Sequence, residues 1–476
     1  MAIFQLSAYV WAEGQAPGRN RFVSFERRFE LPGKVPCTLH LFADTRYRLW
    51  VNEHFLAYGP GRFVTQYPEY DSIELQAHVR AGRNEIRVEV NYYGASSYQT
   101  MPDGMPGFIA AGGTEDHLVD LATPGKWVAR VHSAWRDDAP FFSFAQNPAE
   151  ICDTALLERE LADESRVGGL RLLSGTDCPW QMPVPRTVGY PDYLLVRPDV
   201  VQMAAPLQPS QTFGFQTVVK DFDQAASAGG PRRQFPTWLF ARTARVVTIG
   251  CFWSDLLLNG EAVEVSTDTP LGNHGKAKLH LKEGWNLLTG DLEILAWSWA
   301  YLLRLPVEAE LSTHALPDAA CDSVFALSPC REPEEPLAEL SADPEHFVLP
   351  KSWVLAAGDP VEVTPARMVA WDVPEQHMAM REVTFGQLNE VSAFRAASAT
   401  WVFRFAQEYH GHPYIEVEAP EGAILDVAYD DWGRADGCLN LYGANPFTDA
   451  ADRFILRGGR QCVEVLNPRG GIFLQA

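Results

Sequence analysis

Apolar and polar residues alternate at every second position through much of this chain, and no other feature narrows its possible folds so much. In NEIRVEVN (Asn84–Asn91), Ile86, Val88 and Val90 alternate with Arg87, Glu89 and Asn91. In YIEVEA, Ile415 and Val417 alternate with Glu416 and Glu418, and in LDVAY, Leu425, Val427 and Tyr429 share one face. A strand turns successive side chains to opposite faces, so this pattern predicts half-buried antiparallel strands. Helical periodicity is nearly absent; the best helix candidate is the short stretch from Ala149 to Ser165, around LLEREL. The expected class is all-β, built as tandem antiparallel sandwiches.

Two Pro-rich stretches punctuate the strands. The first contains Pro179, Pro183, Pro185, Pro191, Pro198, Pro206 and Pro209, the second Pro317, Pro329, Pro333, Pro336 and Pro344. Cutting there gives units of 1–198, 199–345 and 346–476. The first two share a weak internal repeat. RYRLWVNEHFLAYG (Arg46–Gly59) resembles FWSDLLLNGEAVEV (Phe252–Val265), and IELQAHVRAGRNEIRVEV resembles AKLHLKEGWNLLTGDLEI. In each unit a hairpin turn at Asn52 or Asn259 precedes a G-x-N that opens a strand at Asn84 or Asn286. Tight turns need positive φ, which Gly adopts freely and Asn better than most residues. Two such units in tandem indicate a duplicated sandwich.

Composition limits the partners. A net charge of −22 and a pI near 5.0 repel phosphate backbones and anionic lipid surfaces, so neither nucleic acid nor a membrane is expected. The most apolar long stretch, Leu287 to Pro306, carries Asp291, Glu293 and Arg304, which disqualifies it as a membrane span. The N-terminus has no basic segment ahead of an apolar run, so no signal peptide is read and a cytoplasmic location is the default. Eight Cys are scattered without CxxC or zinc spacing, as expected of reduced thiols. No cofactor is implied.

The order of these motifs resembles a known family. A strand, an N-G turn and an L-x-x-G-x-N strand resemble the galactose-binding-like jelly roll attached to many glycoside hydrolases. GPGRFVTQYPEYDSIELQAHVRAGRNEIRVEV followed by NYYGASSYQTMPDGMPGF is similar to the N-terminal region of bacterial α-L-rhamnosidases of the family 78 type. WVFRFAQEYHGHPYIEVEAPEGAILDVAYDD and ADRFILRGGRQCVEVLNPRGGIFLQA resemble the β-sandwich that precedes the catalytic barrel there, with Gln407, Gly411 and Gly422 at its turns. Glu53, following Asn52, departs from the usual Gly. The resemblance implies an inverting hydrolysis whose carboxylates belong to a barrel of paired helices C-terminal to these sandwiches. It therefore implies that Ala476 is a truncation point, with Ile472, Phe473 and Leu474 forming an exposed apolar edge.

The acidic residues give no clear catalytic pair. Asp430, Asp431 and Asp436 cluster in YDDWGRADG, which reads as a solvated acidic loop turning at Asp436-Gly437, with a cation site or part of a sugar rim as the alternatives; the spacing does not match a calcium loop. TDCPWQ carries Asp177 in an Asp-Cys-Pro string that resembles one near rhamnosidase carboxylates, but here it sits in a Pro-rich linker. Glu408, His410 and His412 in QEYHGHP alternate on an extended chain, and no metal is expected there. No nucleophile elbow, phosphate loop or dinucleotide fingerprint occurs, and GGPRR is too short to serve as one.

Sugar recognition needs aromatic platforms with amides or carboxylates for the hydroxyls. NYYGASSYQTMPDG offers Tyr92, Tyr93, Tyr98 and Asp103 on a long loop after a strand, and Trp432 and Tyr442 flank the acidic loop. These six are the expected contacts to a rhamnose-containing glycan or glycoside. Trp297, Trp299 and Tyr301 in AWSWAY are assigned to the core. The expected role is a non-catalytic, carbohydrate-associated portion of such a hydrolase. A stand-alone carbohydrate-binding protein and a structural β array forming a homo-oligomer are the rival readings.

Overall fold

The computed structural model describes residues 3–95, 105–139, 142, 147–189, 193–209, 212–218, 232–251, 255–266, 275–293, 300–306, 311–356, 359–361, 371–372, 383–384, 398–431, 439 and 451–476. Strands dominate these residues, and their sheets form tandem β-sandwiches, none of them closed into a barrel. The chain divides into two units. One comprises Met1–Arg197, Tyr409–Val427 and Ala451–Gly470; the other comprises Pro198–Glu408, Ala428–Ala450 and Gly471–Ala476.

The first unit contains two six-stranded sheets. One runs Leu170–Leu172, Val10–Ala12, Phe108–Thr114, Cys37–Ala43, Glu69–Glu74, Val184–Pro185. The other runs Val167–Gly168, Val128–His132, Arg21–Leu31, Gly82–Tyr92, Arg46–Val51, His54–Gly59. Alternation selects the inner faces. Val23, Phe25, Leu49, Ile86, Val88 and Val90 of the second sheet join Trp11, Leu39, Leu41 and Phe108 of the first in one buried core. Phe25 stacks on Phe108 with ring centres 4.2 Å apart. Burial of this apolar surface is the main favourable term for such a sandwich.

The outer face of the second sheet departs from the sequence reading. Glu26, Glu89 and Arg130 point away from the core yet are almost completely buried. Within this unit the single α-helix among the described residues, Thr154–Ala162, packs against the strand Ala451–Glu464, which pairs in parallel with Ile151–Asp153. The helix begins where Asp153 accepts a hydrogen bond from the Leu156 N–H (2.8 Å), and its nine residues lie inside the predicted Ala149 to Ser165. Arg48–Glu89 and Arg130–Glu26 ion pairs, at 2.7 and 2.8 Å, satisfy the charges on the covered face.

The second unit repeats the order of the first. Its sheets run Val265–Ser266, Gly275–Leu281, Arg245–Cys251, Ala300–Pro306, Thr212–Val218, Asp359–Val361 and Glu261–Val263, Asp255–Leu258, Gly284–Glu293, Arg232–Ala241, Leu311–His314. Phe235, Leu239, Ile249, Leu256, Leu279 and Leu288 form its core.

The duplication reaches individual hydrogen bonds. Asn84 Nδ2 donates to the carbonyls of Arg80 (2.8 Å) and Gly82 (2.9 Å), and its Oδ1 accepts from Arg80 N–H and Asn52 Nδ2. Asn286 does the same with the carbonyls of Lys282 (2.8 Å) and Gly284 (3.0 Å), with Lys282 N–H and with Asn259 Nδ2. Gly82 and Gly284 sit at φ +82° and +88°, where a side chain is strained. The hairpins turn on Asn52–Glu53 (φ +50°, +69°) and Asn259–Gly260 (φ +53°, +87°), both central residues being left-handed as a type I′ turn requires. Glu53 carries a left-handed strain of about 1 kcal/mol that Gly260 avoids.

The last strand corrects one expectation. Ile472 and Phe473 are half-buried and Leu474 is buried, so they form no exposed apolar edge. Tyr429 and Asp430 pair with Leu474 and Phe473 on one side. On the other, Trp401 and Ala476 exchange both backbone hydrogen bonds at 2.9 Å. A strand with a neighbour on each side is an interior strand.

Candidate functional site

The covered face of the first unit leaves a cleft of about 320 Å³, lined by Arg48, Trp50, Arg87, Glu89, Trp135, Gln461 and Glu464 among others. The strand Arg46–Val51 carries Arg48 and Trp50 outward two residues apart, and Gly82–Tyr92 does the same with Arg87 and Glu89. Trp50 pairs with Arg87 across the ladder, and Arg48 with Glu89. The helix supplies a wall through Thr154, Leu157, Glu158 and Leu161, spaced to share one face.

Arg48 organises the carboxylates. It donates to Glu89 Oε1 from Nε (3.0 Å) and Nη2 (2.7 Å), and lies 3.6 Å from Glu464 Oε2. Burial pushes Glu89 upward, but Arg48, His132 and Arg87 outweigh it and hold the carboxyl below the ordinary range. Burial raises Glu464, opposed by Arg48. The two carboxylates are thus tuned apart, as an acid and a base would be. Both, however, face one guanidinium, which binds Glu89 directly and lies 3.6 Å from Glu464, and Glu464 also accepts from the Tyr58 hydroxyl, so both carboxylates are already engaged within the protein.

Arg87 differs from the other cleft cations. Arg48 faces Glu89, and Arg457 lies 3.8 Å from Glu158, whereas Arg87 makes no ion pair with a described residue. Its guanidinium lies over the Trp50 ring, 4.3 Å from the centroid, and burial lowers its pKa. Two further residues that line this cleft carry a buried donor without a partner among the described residues: Trp135 at Nε1 and Gln461 at Nε2. Gln461 accepts from the Thr154 hydroxyl at 2.7 Å through its other amide atom, which fixes the side chain. Trp135 stacks on Phe22 at 4.2 Å. Arg87 and Trp50 also line an adjoining cleft of about 290 Å³ with Asn52, Arg80, Arg83 and Asn84.

The predicted sugar contacts fall elsewhere. Tyr92 is 1% exposed and its ring lies 6.0 Å from Trp11 in the core. Tyr93 is 4% exposed, and its hydroxyl bonds Asn467 Oδ1. Tyr98, Asp103, Trp432 and Tyr442 lie outside the described residues, as does Asp436. Asp177 is exposed and pairs with Arg171 at 2.9 Å. His412 stacks on Tyr58 at 3.4 Å and 3°, and burial pushes its pKa down to about 3, so it is a neutral packing group. Among the described residues, no group of three His, Cys, Asp or Glu side chains is placed to hold a metal.

Tyr93 belongs to a buried polar network. Arg469 holds Asp452 through Nε (2.8 Å) and Nη2 (2.6 Å), donates to Asn147 Oδ1 (3.1 Å) and lies over the Phe142 ring. Asp452 Oδ1 accepts from the Glu150 N–H (2.7 Å). Glu150 accepts from the N–H groups of Leu466 (3.0 Å) and Asn467 (2.7 Å), and burial and Asp452 push its pKa up to about 7. Ser24, His132 and Glu160 form a second chain, with Ser24 Oγ to His132 Nε2 at 2.8 Å and His132 Nδ1 to Glu160 at 3.4 Å. Its order imitates a nucleophile–base–acid relay. Ser24 is fully buried and lines none of the described clefts, so the chain is structural.

No family model matches this chain, and no curated protein matches it. Among solved structures, it is similar to the GH78 family rhamnosidase of Bacillus sp. GL1, at 22% identity and a TM-score of 0.64 over 98% of this chain and 53% of that one. It also aligns with the α-L-rhamnosidase from Dictyoglumus thermophilum, at 11% identity and a TM-score of 0.43 over 99% of this chain and 33% of that one. The Bacillus likeness shows a shared fold: this chain has the architecture of about half of a GH78 rhamnosidase and spans about half its length. No helix among the described residues is long and apolar enough to cross a membrane.

Proposed function

We propose that this chain is the non-catalytic, carbohydrate-associated N-terminal portion of an α-L-rhamnosidase-like glycoside hydrolase, acting in the cytoplasm. The observation that carries the reading is the fold likeness over 98% of this chain to 53% of a rhamnosidase. The cleft chemistry supports it, because the carboxylates of the Trp50 cleft are already engaged by Arg48 and Tyr58. Inverting hydrolysis requires an acid and a base flanking a water, about 6.5–9.5 Å apart and each able to pass a proton. In this reading those groups belong to the part of a rhamnosidase that this chain does not span, and the duplicated sandwiches shape and extend the sugar site. Division of the chain at 198 and 345 belongs to the same proposal.

Affinity electrophoresis tests the association. In gels containing a neutral rhamnose-rich polysaccharide, the protein is expected to be retarded in proportion to polysaccharide concentration, and free methyl α-L-rhamnoside should relieve the retardation. Unchanged mobility at every concentration would count against carbohydrate association.

A further inference from the structure

Building on that reading, we propose that the Trp50–Arg87 cleft of the first unit is a binding site for an acidic saccharide, whose carboxylate pairs with Arg87. The argument is one of unmatched donors. Glu85 and Glu89 flank Arg87 on its own strand and Glu26 faces it across the ladder, but these carboxylates are bound to Arg28, Arg48 and Arg130 at 3.1, 2.7 and 2.8 Å, so the half-buried Arg87 guanidinium is left without an ion pair of its own among the described residues. Arg87 is held by its stack on Trp50 and lies where two clefts of about 320 and 290 Å³ meet. On the larger cleft, Trp135 and Gln461 are 5% and 6% exposed and each keeps a buried donor without a partner among the described residues. On the smaller, Arg80 and Arg83 add exposed positive charge.

Three donors of this kind ask for a ligand rich in acceptors. Hydroxyl and ring oxygens of a saccharide suit the indole N–H and the amide N–H. A carboxylate suits the guanidinium, whose charge-assisted pairing is the stronger bond. Repulsion from the clefts' own acids is limited, because Arg48 bridges Glu89 and Glu464, Arg457 faces Glu158 and Arg28 lies 3.1 Å from Glu85; the exposed Glu53 on the smaller cleft is set against Arg80, Arg83 and Arg87 of the same lining. Burial, with the neighbouring Arg48, disfavours the charge on Arg87 more than Glu89, Glu26 and Glu85 favour it, so an incoming anion relieves a cost that those glutamates leave in part unmet.

The test is isothermal titration of the full chain with three probes: an oligosaccharide ending in glucuronic acid, its neutral glucose-terminated counterpart, and inorganic phosphate. The acidic oligosaccharide is expected to bind about tenfold more tightly than the neutral one, the worth of one charge-assisted pair. Arg87→Gln should erase that tenfold preference, and Arg87→Lys should keep part of it. Trp135→Phe keeps an aromatic ring on Phe22 but loses the N–H donor together with the second ring of the indole, so it should weaken both oligosaccharides alike, with a urea midpoint measured beside it to separate the lost donor from lost packing. Equal affinity for the acidic and neutral probes, or an undiminished preference in Arg87→Gln, would overturn the proposal. So would phosphate displacing the acidic probe at equal concentration, which would make this a plain anion site. Retardation by the neutral rhamnose-rich polysaccharide without uronate binding would overturn this inference alone; loss of both would overturn the carbohydrate reading as well.

Discussion

Arg469→Met is expected to destabilise the first unit by about 3–5 kcal/mol, the usual cost of removing one partner from a buried ion pair. Arg469 and Asp452 are both fully buried, and Glu150 sits beside them at 0% exposure. Without the Arg469 guanidinium, two carboxylates share a dry site in which Asp452 has lost its bidentate partner and Arg48 remains as a cation acting on Glu150. The loss should depend on pH, and its sign follows from Glu150. Its pKa is raised from the ordinary 4.5 to about 7, so the folded state holds its proton more tightly than the unfolded chain does. The stability this group contributes is complete below pH 4.5 and fades as pH rises through about 7. Arg469→Met should therefore cost less at pH 5, where Glu150 is largely protonated, than at pH 8. The double variant Arg469→Met/Asp452→Asn removes both charges and keeps an acceptor for the Glu150 N–H, so it should recover more than half the loss. Urea midpoints at the two pH values measure this. A loss below about 1 kcal/mol at pH 8, or the opposite pH trend, would show that the network does not hold the unit together.

Asn84→Ala and Asn286→Ala should each cost about 2–4 kcal/mol, the sum expected when several buried hydrogen-bonding groups lose one shared partner. Each Asn is buried and makes four hydrogen bonds. Truncation removes the partner of a backbone N–H, of two carbonyls and of the Asn52 or Asn259 amide, although Asn52 Nδ2 keeps its second bond to the His78 carbonyl at 2.9 Å. Asp in place of Asn retains the acceptor but loses both donated bonds and places a charge against two carbonyls, so it should do no better than Ala. Hydrogen exchange at Glu85 and Leu287 provides a local reading. Their N–H groups donate at 3.0 Å to Asn52 and Asn259, whose side chains each lose an anchor with the partner Asn; Asn52 keeps its bond to the His78 carbonyl, so the loss of protection should be larger at Leu287 than at Glu85. Unchanged protection at both amides would contradict the account of the duplicated turn.

That duplicated turn was legible in the sequence because its demands are local. Positive φ at Gly82 and Gly284 and a side chain that can both donate and accept leave few residue types, so G-x-N survives in both units while the strands between them diverge. The alternation in NEIRVEVN likewise fixed which residues enter the core. It could not show what covers the other face. Arg87 and Glu89 have the pattern of wet positions, yet the strand Ala451–Glu464, far along the chain, lies over that face within the same unit. The cleft was hidden for the same reason, since Arg87, Trp135 and Gln461 come from three distant segments. Tyr92 and Tyr93 misled because an aromatic pair at a strand end reads equally as a rim or as a core. The buried network of Glu150, Asp452 and Arg469 gave no sequence signal, since Asp452 stands beside Arg453 and Arg469 lies in the turn-like run Asn467–Gly471, both of which read as wet positions.

Turnover of a chromogenic aryl α-L-rhamnoside by the extensively purified chain tests the central claim most directly. The account predicts no release of the aryl alcohol above the uncatalysed rate between pH 4 and 8, in the wild-type protein and in Glu89→Gln and Glu464→Gln alike. Clear turnover that is abolished by either substitution, or by Asp430→Ala or Asp431→Ala, would contradict it and place a complete active site within these sandwiches.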